Sequence, residues 1–489
     1  MFHGAMYLGL RQSYDAERVC PARWSRVSTM TLDLPTRLRP HGSPLATSPT
    51  VARSQLFRRI GEPVLHYRRG VRRLRPSKRR HRTASPYGAK AVQRTGPCTD
   101  RRITIAATTQ RSETPWYTIV NPEKLRTPAL CFYPARIEVN IAHAIRVAGS
   151  ADRLRPHVKT YKSPEIVKLL LRAGVSRFKC ATVTEAEMLV ETGAGDVMLA
   201  YPLIGPNAAA FATLCARNPG IRFSTLADSP EGVAELAEAA AEHDVSFEVL
   251  VDLNVGMNRT GVNPGADAQS LYRAIAAHSR LKPGGIHAYD GQIQIADPNE
   301  RRAAATATAE AAHGVRQALE AEGLPVPRMV AGGTPTFPCH AETPDFELSP
   351  GTCFLHDLRS EERYPDLPFV PAALVVGRVI SRPATGLVTL DIGCKAIAVD
   401  QEKPHGAILN LPGSEPVGQS EEHWVFRHAA DAPPELGALM YVLPRHICPS
   451  VAHYNYATVI DEGGTVAERW PITARGRELS FDHRPGAVR

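Results

Sequence analysis

Nowhere does the sequence carry 18 consecutive apolar residues, so no stretch of it reads as a membrane-spanning helix. Its opening residues lack the charged-then-apolar pattern and small-residue cleavage site of a secretory signal, which points to the cytoplasm. The nine cysteines have no regular spacing and sit mostly inside apolar runs such as Ala129-Leu130-Cys131-Phe132. That excludes a disulfide framework and suggests reduced, buried thiols. No glycine-rich dinucleotide fingerprint follows the first predicted strand, which weighs against an open doubly wound sheet.

What is present is a chain of 489 residues, 43% hydrophobic and 22% charged, long enough for two or three ordinary domains. Its net charge of +9 conceals an asymmetry. Residues 1–112 hold 23 Lys/Arg against 5 Asp/Glu, a net of +18, and the remainder carries −9. The densest basic run is Arg68-Arg69-Gly70-Val71-Arg72-Arg73-Leu74-Arg75. Like charges and poor hydrophobic periodicity predict a disordered extension over 1–112. It lacks the interleaved aromatics of a nucleic-acid arm, so no nucleic-acid partner is expected.

From about Trp116 short apolar runs alternate with Ala/Glu-rich stretches. Strands are predicted to begin at Ala129, Leu154, Phe178, Val197, Phe223, Phe247, Gly284 and Arg328, with helices over 163–173, 184–192, 230–242 and 301–322 among those between them. Eight strands alternating with helices predict an α/β fold, a (β/α)8 TIM-like barrel over 113–343. Beyond about Pro344 helical patterning stops. Runs at 373–380, 387–392, 396–399 and 438–442, separated by Gly/Pro turns, predict a small all-β domain over 344–489.

The segment Leu154-Arg155-Pro156-His157-Val158-Lys159-Thr160-Tyr161-Lys162 would place a lysine at a strand C-terminus, the catalytic rim of a barrel. An amine desolvated there is partly neutral and nucleophilic, as bonding to an aldehyde cofactor requires. In the last segment, His446-x-Cys448 puts an imidazole and a thiol two residues apart. On a strand they would share a face and grip one cation, zinc being the best match.

Leu154–Lys162 resembles the RPHxKTxK motif of the D-threonine aldolase and D-serine dehydratase family, pyridoxal-phosphate enzymes with the alanine-racemase type of barrel. Thr127-Pro128-Ala129-Leu130, Gly285-Ile286-His287-Ala288-Tyr289-Asp290-Gly291, Gly332-Gly333-Thr334-Pro335-Thr336, Asp391–Ala396 and Glu421-Glu422-His423 fit the same family in the correct order. The resemblance implies that Lys159 carries the cofactor and that Gly333 and Thr334 hold its phosphate. It further implies that Arg259 points toward the cofactor and that Tyr289 backs its pyridine ring. His157 would stack or hydrogen-bond in the same rim, and His446 and Cys448 would hold a divalent metal, Zn or Mn. Asp391 and Lys395 read as a structural pair at a β-domain turn, and His423 as a residue that either orients a loop or approaches the metal.

The activity implied is a metal-assisted lyase acting on β-hydroxy-D-amino acids. D-threonine aldolase is the first expectation and D-serine dehydratase the alternative. A racemase would need a second base, commonly a tyrosine from a partner subunit, with Tyr441, Tyr454 and Tyr456 available. The partners expected are a small-molecule D-amino acid and, at most, a second copy of the chain in a homodimer.

Overall fold

The computed structural model describes residues 114–482 except Asp431. The extension read from residues 1–112 lies outside them.

The described chain starts with β1 (Ala129–Phe132) and α1 (Pro134–Ala148), and a 3₁₀ turn over Val158–Thr160 leads into α2 (Pro164–Arg172). A regular alternation follows: β2 (Arg177–Cys180), α3 (Val183–Glu191), β3 (Asp196–Pro202), α4 (Pro206–Arg217), β4 (Arg222–Ala227), α5 (Pro230–Glu242), β5 (Phe247–Asp252), α6 (Ala266–Ala277), β6 (Leu281–Ala288), α7 (Pro298–Ala321), β7 (Met329–Ala331), α8 (Phe337–His340) and β8 (Phe346–Leu348). Proline opens five of these helices, α1, α2, α4, α5 and α7. At that position the missing N–H costs nothing and φ is already helical. Thr182, Ser229 and Asp297 cap three helices by accepting first-turn backbone N–H groups.

Strands β2 to β8 form one parallel sheet in sequence order. The barrel is closed by the stave Leu154–His157, which bridges both edges. Leu154 pairs with Leu348 and His157 with Lys179. Arg155 N and His157 N donate to Leu348 O and Pro350 O, at 2.7 and 2.9 Å, and Lys179 N donates to Pro156 O at 2.9 Å. Pro156 has no N–H to give to a ladder, so the stave is a pair of bridges and not a regular strand.

Two strand assignments are therefore corrected. The Ala129 run is not a barrel stave. It pairs antiparallel with β9 (Ala373–Ser381) and parallel with β15 (Tyr456–Ile460) in the second sheet. All four of its residues are buried, and a short continuous apolar run looks the same in either kind of sheet. The stave it vacates is supplied by β8, so the sheet extends past residue 343 to Leu348.

After α9 (Leu358–Arg363) and β9, the second sheet adds β10 (Leu387–Leu390), β11 (Gly406–Ile408), β12 (Glu415–Gln419), β13 (Trp424–Arg427) and β14 (Leu439–Pro444). A short helix α10 (Ile447–Ala452), β15 and β16 (Val466–Pro471) complete it. The expected strand at 396–399 is a turn, although Ala396, Ile397 and Ala398 are buried. Helices α9 and α10 interrupt what was read as helix-free sequence. Among the described residues no helix is long and apolar enough to cross a membrane, and all seven cysteines are free.

At the strand N-termini, the barrel interior holds charge. Arg155, fully buried, donates to Asp196 at 2.7 Å and to Glu347 at 2.6 Å. Arg328 pairs with Glu248 beside them. Burial raises the Asp196 carboxyl, but the Arg155 hydrogen bond and charge outweigh this and hold it below its ordinary value. Its contribution to stability is present above the unfolded pKa of about 3.9 and is lost as pH falls through the lower folded value. Replacing Arg155 by Ala removes the shortest cationic partner of two carboxylates, leaving Asp196 to Arg222 and Arg328 at 3.8 Å and Glu347 to Arg177 at 3.5 Å, and should cost about 3 kcal/mol. Urea unfolding at pH 7 measures this, and an unchanged midpoint would remove Arg155 from the list of fold-determining residues.

Candidate active site

Lys159 lies in the 3₁₀ turn that follows the closing stave, on the C-terminal rim of the barrel. His157 caps that turn, its Nδ1 accepting the Lys159 backbone N–H at 3.4 Å. Burial, then the charges of Lys159 and Lys179, push the His157 imidazole well below its ordinary pKa, so it is neutral. Its observed contact is structural: it fixes the turn. Lys162, the other lysine of the motif, is committed to an ion pair with Glu185 and to Ala474 O. Lys159 makes no such pair and faces the ring of Tyr289, with Nζ 5.8 Å from its centroid.

Tyr289 stands at the end of β6, half-buried. Gly291 makes room for it, since a Cβ there would lie 2.4 Å from the tyrosine ring. Arg259, in the loop after β5, places its guanidinium carbon 5.1 Å from the same centroid. A third cation, which the sequence reading did not place in the site, is Lys179 on β2, at 5.4 Å. The deeply buried amine of the site is thus Lys179, only 2% exposed, whereas Lys159 is half-buried. Burial first, then the Lys159 charge, lowers the Lys179 pKa to about 7. Only the alternation of β2, which points Phe178 and Lys179 to opposite faces, could have flagged it.

Beside the ring runs the turn after β7. Gly332 has φ +77°, a conformation that favours glycine. The Gly333 N–H is taken by Thr336 Oγ1 at 3.1 Å, and Thr336 and His340 both bind the buried Asp290. Thr334 Oγ1 accepts the backbone N–H of Cys353 at 3.1 Å. The turn is therefore tightly braced, and its Gly333 amide is already used. Ser349 Oγ, which lines the same cavity, is buried without a hydrogen-bond partner.

His446 and Cys448 are not on a strand. β14 ends at Pro444, His446 occupies the N-cap of α10 and Cys448 is its second residue. The turn that opens α10, not strand alternation, brings the two side chains to one cavity. His446 Nδ1 is 2.7 Å from Asp400 Oδ2. Desolvation opposes the charge on His446, but Cys448 and Asp400 outweigh it and raise the imidazole to about 9. Burial raises the Cys448 thiol, and the His446 contact more than reverses this. Cys448 Sγ also lies 3.3 Å from Thr160 Oγ1 and 3.5 Å from Thr352 Oγ1. That contact sets the His/Cys pair one residue from Lys159, and all three share a cavity of about 270 Å³ with Tyr289, Gly333 and Thr334.

Other expectations are corrected. Asp391 and Lys395 do not pair: Asp391 accepts from Thr127 and the Arg378 N–H, and Lys395 pairs with Glu421 on the surface. His423 is exposed and lines no described cavity. Within this chain Tyr441 OH accepts the N–H of Ile119, ahead of β1, and Tyr454 OH donates to Ala396 O in the β-domain. Tyr456 lies under Arg469.

Residues 134–355 match the family described as alanine racemase, N-terminal domain, and residues 372–460 the putative serine dehydratase domain. The D-threonine aldolase of Arthrobacter sp. is 30% identical over 72% of this chain and 93% of its own. The D-threo-3-hydroxyaspartate dehydratase of Delftia sp. is 27% identical over 70% and 96%. Among solved structures, D-threonine aldolase from Filomicrobium marinum superposes with a TM-score of 0.68 at 30% identity, covering 72% of this chain and 96% of that one. Another is a cysteine-to-alanine variant of a D-threo-3-hydroxyaspartate dehydratase in the metal-free form, with a TM-score of 0.64 at 26% identity, covering 72% and 98%.

The residues present fit pyridoxal phosphate. An unpartnered Ser349 hydroxyl faces the cavity beside the braced glycine turn, and three cations surround an aromatic floor. They also fit a metal held at an open site. Imidazole and thiolate form a soft donor pair with a carboxylate behind the histidine. Among the described residues no group of three or more His, Cys, Asp or Glu could hold an ion, so the remaining positions would fall to water and substrate. With its racemase-type barrel, serine-dehydratase-type β-domain and the match to D-threonine aldolase over nearly that protein's full length, the chain belongs to the family of pyridoxal-phosphate-dependent lyases that act on β-hydroxy-D-amino acids.

Proposed function

We propose that the protein is a D-threonine aldolase, cleaving D-threonine to glycine and acetaldehyde with pyridoxal phosphate and a divalent metal. The observation that carries this reading is the Cys448–Thr160 contact. It sets a metal-binding pair beside the rim lysine, where the β-oxygen and Cα of one small substrate can both be served. Pyridoxal phosphate, when bound, withdraws electrons from Cα so that a bond there can break.

In this reading Lys159 holds the cofactor and moves a proton at Cα of the substrate. Tyr289 would support the ring, while Ser349 and Thr334 would receive the phosphate; Gly333, expected to share that role, has its N–H committed to Thr336 and only shapes the turn. Arg259, 5.1 Å from the Tyr289 ring centroid, would supply a permanent positive charge toward the cofactor. His446 and Cys448 hold the metal, with zinc favoured by the thiolate and manganese the other candidate. That ion would supply Lewis acidity at the β-oxygen. Asp400 fixes the ring of His446. Met257 and Ile293 line the cavity and offer the methyl of D-threonine an apolar niche, worth roughly 1–3 kcal/mol.

A second reading, D-serine dehydratase giving pyruvate and ammonia, is favoured by the match of the β-domain. It uses the same residues, with Cα–H in place of Cα–Cβ as the bond to be broken.

Borohydride reduction of the holoenzyme should fix the cofactor to Lys159, and Lys159→Ala should abolish the adduct. A peptide map placing it on Lys179 would transfer the role to the buried amine. Chelation should lower lyase turnover by about 100-fold or more while leaving the cofactor's visible absorbance in place, and His446→Ala should reproduce this. Full turnover in metal-stripped protein would reject the metal assignment. Incubation with D-threonine should yield glycine and acetaldehyde at a higher kcat/KM than pyruvate forms from D-serine; the opposite order would establish the dehydratase.

A further inference from the structure

Lys179 is the deeply buried amine beside the Tyr289 ring: it stands behind the cavity wall and not on its surface, with Nζ 5.4 Å from the ring centroid, and the reading above gives it no task. It sits on β2 with its backbone tied into the closing stave. Its Nζ is 3.3 Å from His287 Nε2. Behind it, His287 Nδ1 is 2.6 Å from Asp252 Oδ1, and Thr260 Oγ1 donates to Asp252 Oδ2 at 2.8 Å. The order of protons in this chain is fixed. Asp252 is held ionised: burial opposes its charge, but His287, Thr260 and Lys179 outweigh that. It therefore takes the His287 Nδ1–H, and burial with the nearby Lys179 keeps the imidazole neutral. Nε2 is left with a bare lone pair, which accepts one N–H of Lys179. Among the described residues His287 is the one acceptor of Lys179 Nζ, and the amine faces the Tyr289 ring.

We propose that Lys179 is a second cofactor-contacting amine, propped on His287 by Asp252 and Thr260, which supplies a positive charge to an anionic oxygen of pyridoxal phosphate. The inference rests on the site holding that cofactor and not on which β-hydroxy-D-amino acid is cleaved.

The charges facing Lys179 come from every side. Lys159 and Arg155 lie on the stave and its turn, Asp252 on β5, and His287 and Asp290 at the end of β6. His157 pairs with it across the bridge. Lys159 and Arg155 work against a charge on Lys179, and Asp252 and Asp290 favour it. An anionic ligand in the cavity tips that balance toward the ammonium. By linkage, such a ligand binds best below the pKa of the free Lys179, about 7, and loses affinity as pH rises above it.

The test uses the full chain stripped of cofactor. Its probe is pyridoxine 5′-phosphate, whose alcohol cannot bond covalently to Lys159. Kd is measured from pH 6.5 to pH 9 in wild type and in Lys179→Met. Wild-type Kd should rise up to about tenfold per pH unit above neutrality. Lys179→Met should bind about tenfold or more weakly at pH 7, lack that pH component and converge on wild type at high pH, with an unchanged melting temperature. A packing role alone would not remove a pH slope. Equal Kd values and equal slopes in the two proteins would overturn the proposal. If Lys179→Met does not fold, a wild-type Kd that stays flat between pH 7 and pH 9 overturns it equally.

Discussion

The closure of the barrel depends on a single buried guanidinium. The stave Leu154–His157 has few ladder hydrogen bonds because Pro156 interrupts it, and its position is fixed instead by Arg155 reaching Asp196 and Glu347. These carboxylates sit on β3 and β8, so the clamp spans the seam the stave must fill. Buried ion pairs contribute little net stability, yet they are very sensitive to loss of one partner, which makes them better at specifying geometry than at supplying free energy. Here the geometry specified is the register of the stave. Four residues beyond Arg155 the chain reaches Lys159, so an error at the clamp would move the amine on the rim.

The β-domain completes the site from the other side. β14 carries the chain out of the second sheet and into α10, whose N-terminal turn supplies His446 and Cys448. Cys448 meets Thr160 and Thr352, one in the lysine turn and one in the segment after β8. The candidate metal pair is therefore positioned by both sheets at once. Neither domain alone contains a lysine rim, an aromatic floor and a metal-binding pair.

Electrostatics give the cavity its preference. Lys159, Lys179 and Arg259 all lie within 6 Å of the Tyr289 ring centroid. Asp252 and Asp290 are engaged with His287 and Thr260 or with Thr336 and His340, and Asp357, which lines the cavity, accepts the backbone N–H groups of Ser360 and Ile447. A concave, largely buried surplus of positive charge favours a ligand bearing phosphate, and low dielectric makes that preference stronger than it would be in water.

By itself the sequence determined the class of fold, because alternation of apolar runs with Ala/Glu-rich segments is local and survives in one dimension. It also marked Lys159, Tyr289 and the His446–Cys448 pair, since each lies in a motif of neighbouring residues. The tertiary structure decided the rest. It moved Ala129–Phe132 into the second sheet and gave its place to Phe346–Leu348, because a short buried strand does not encode its partner. It separated Asp391 from Lys395, since proximity in sequence does not aim two side chains at one another. It also assembled Lys179, His287, Asp252 and Thr260 from β2, β6, β5 and the loop after β5. No spacing rule links positions so far apart along the chain; parallel strands bring them together only once the barrel has closed.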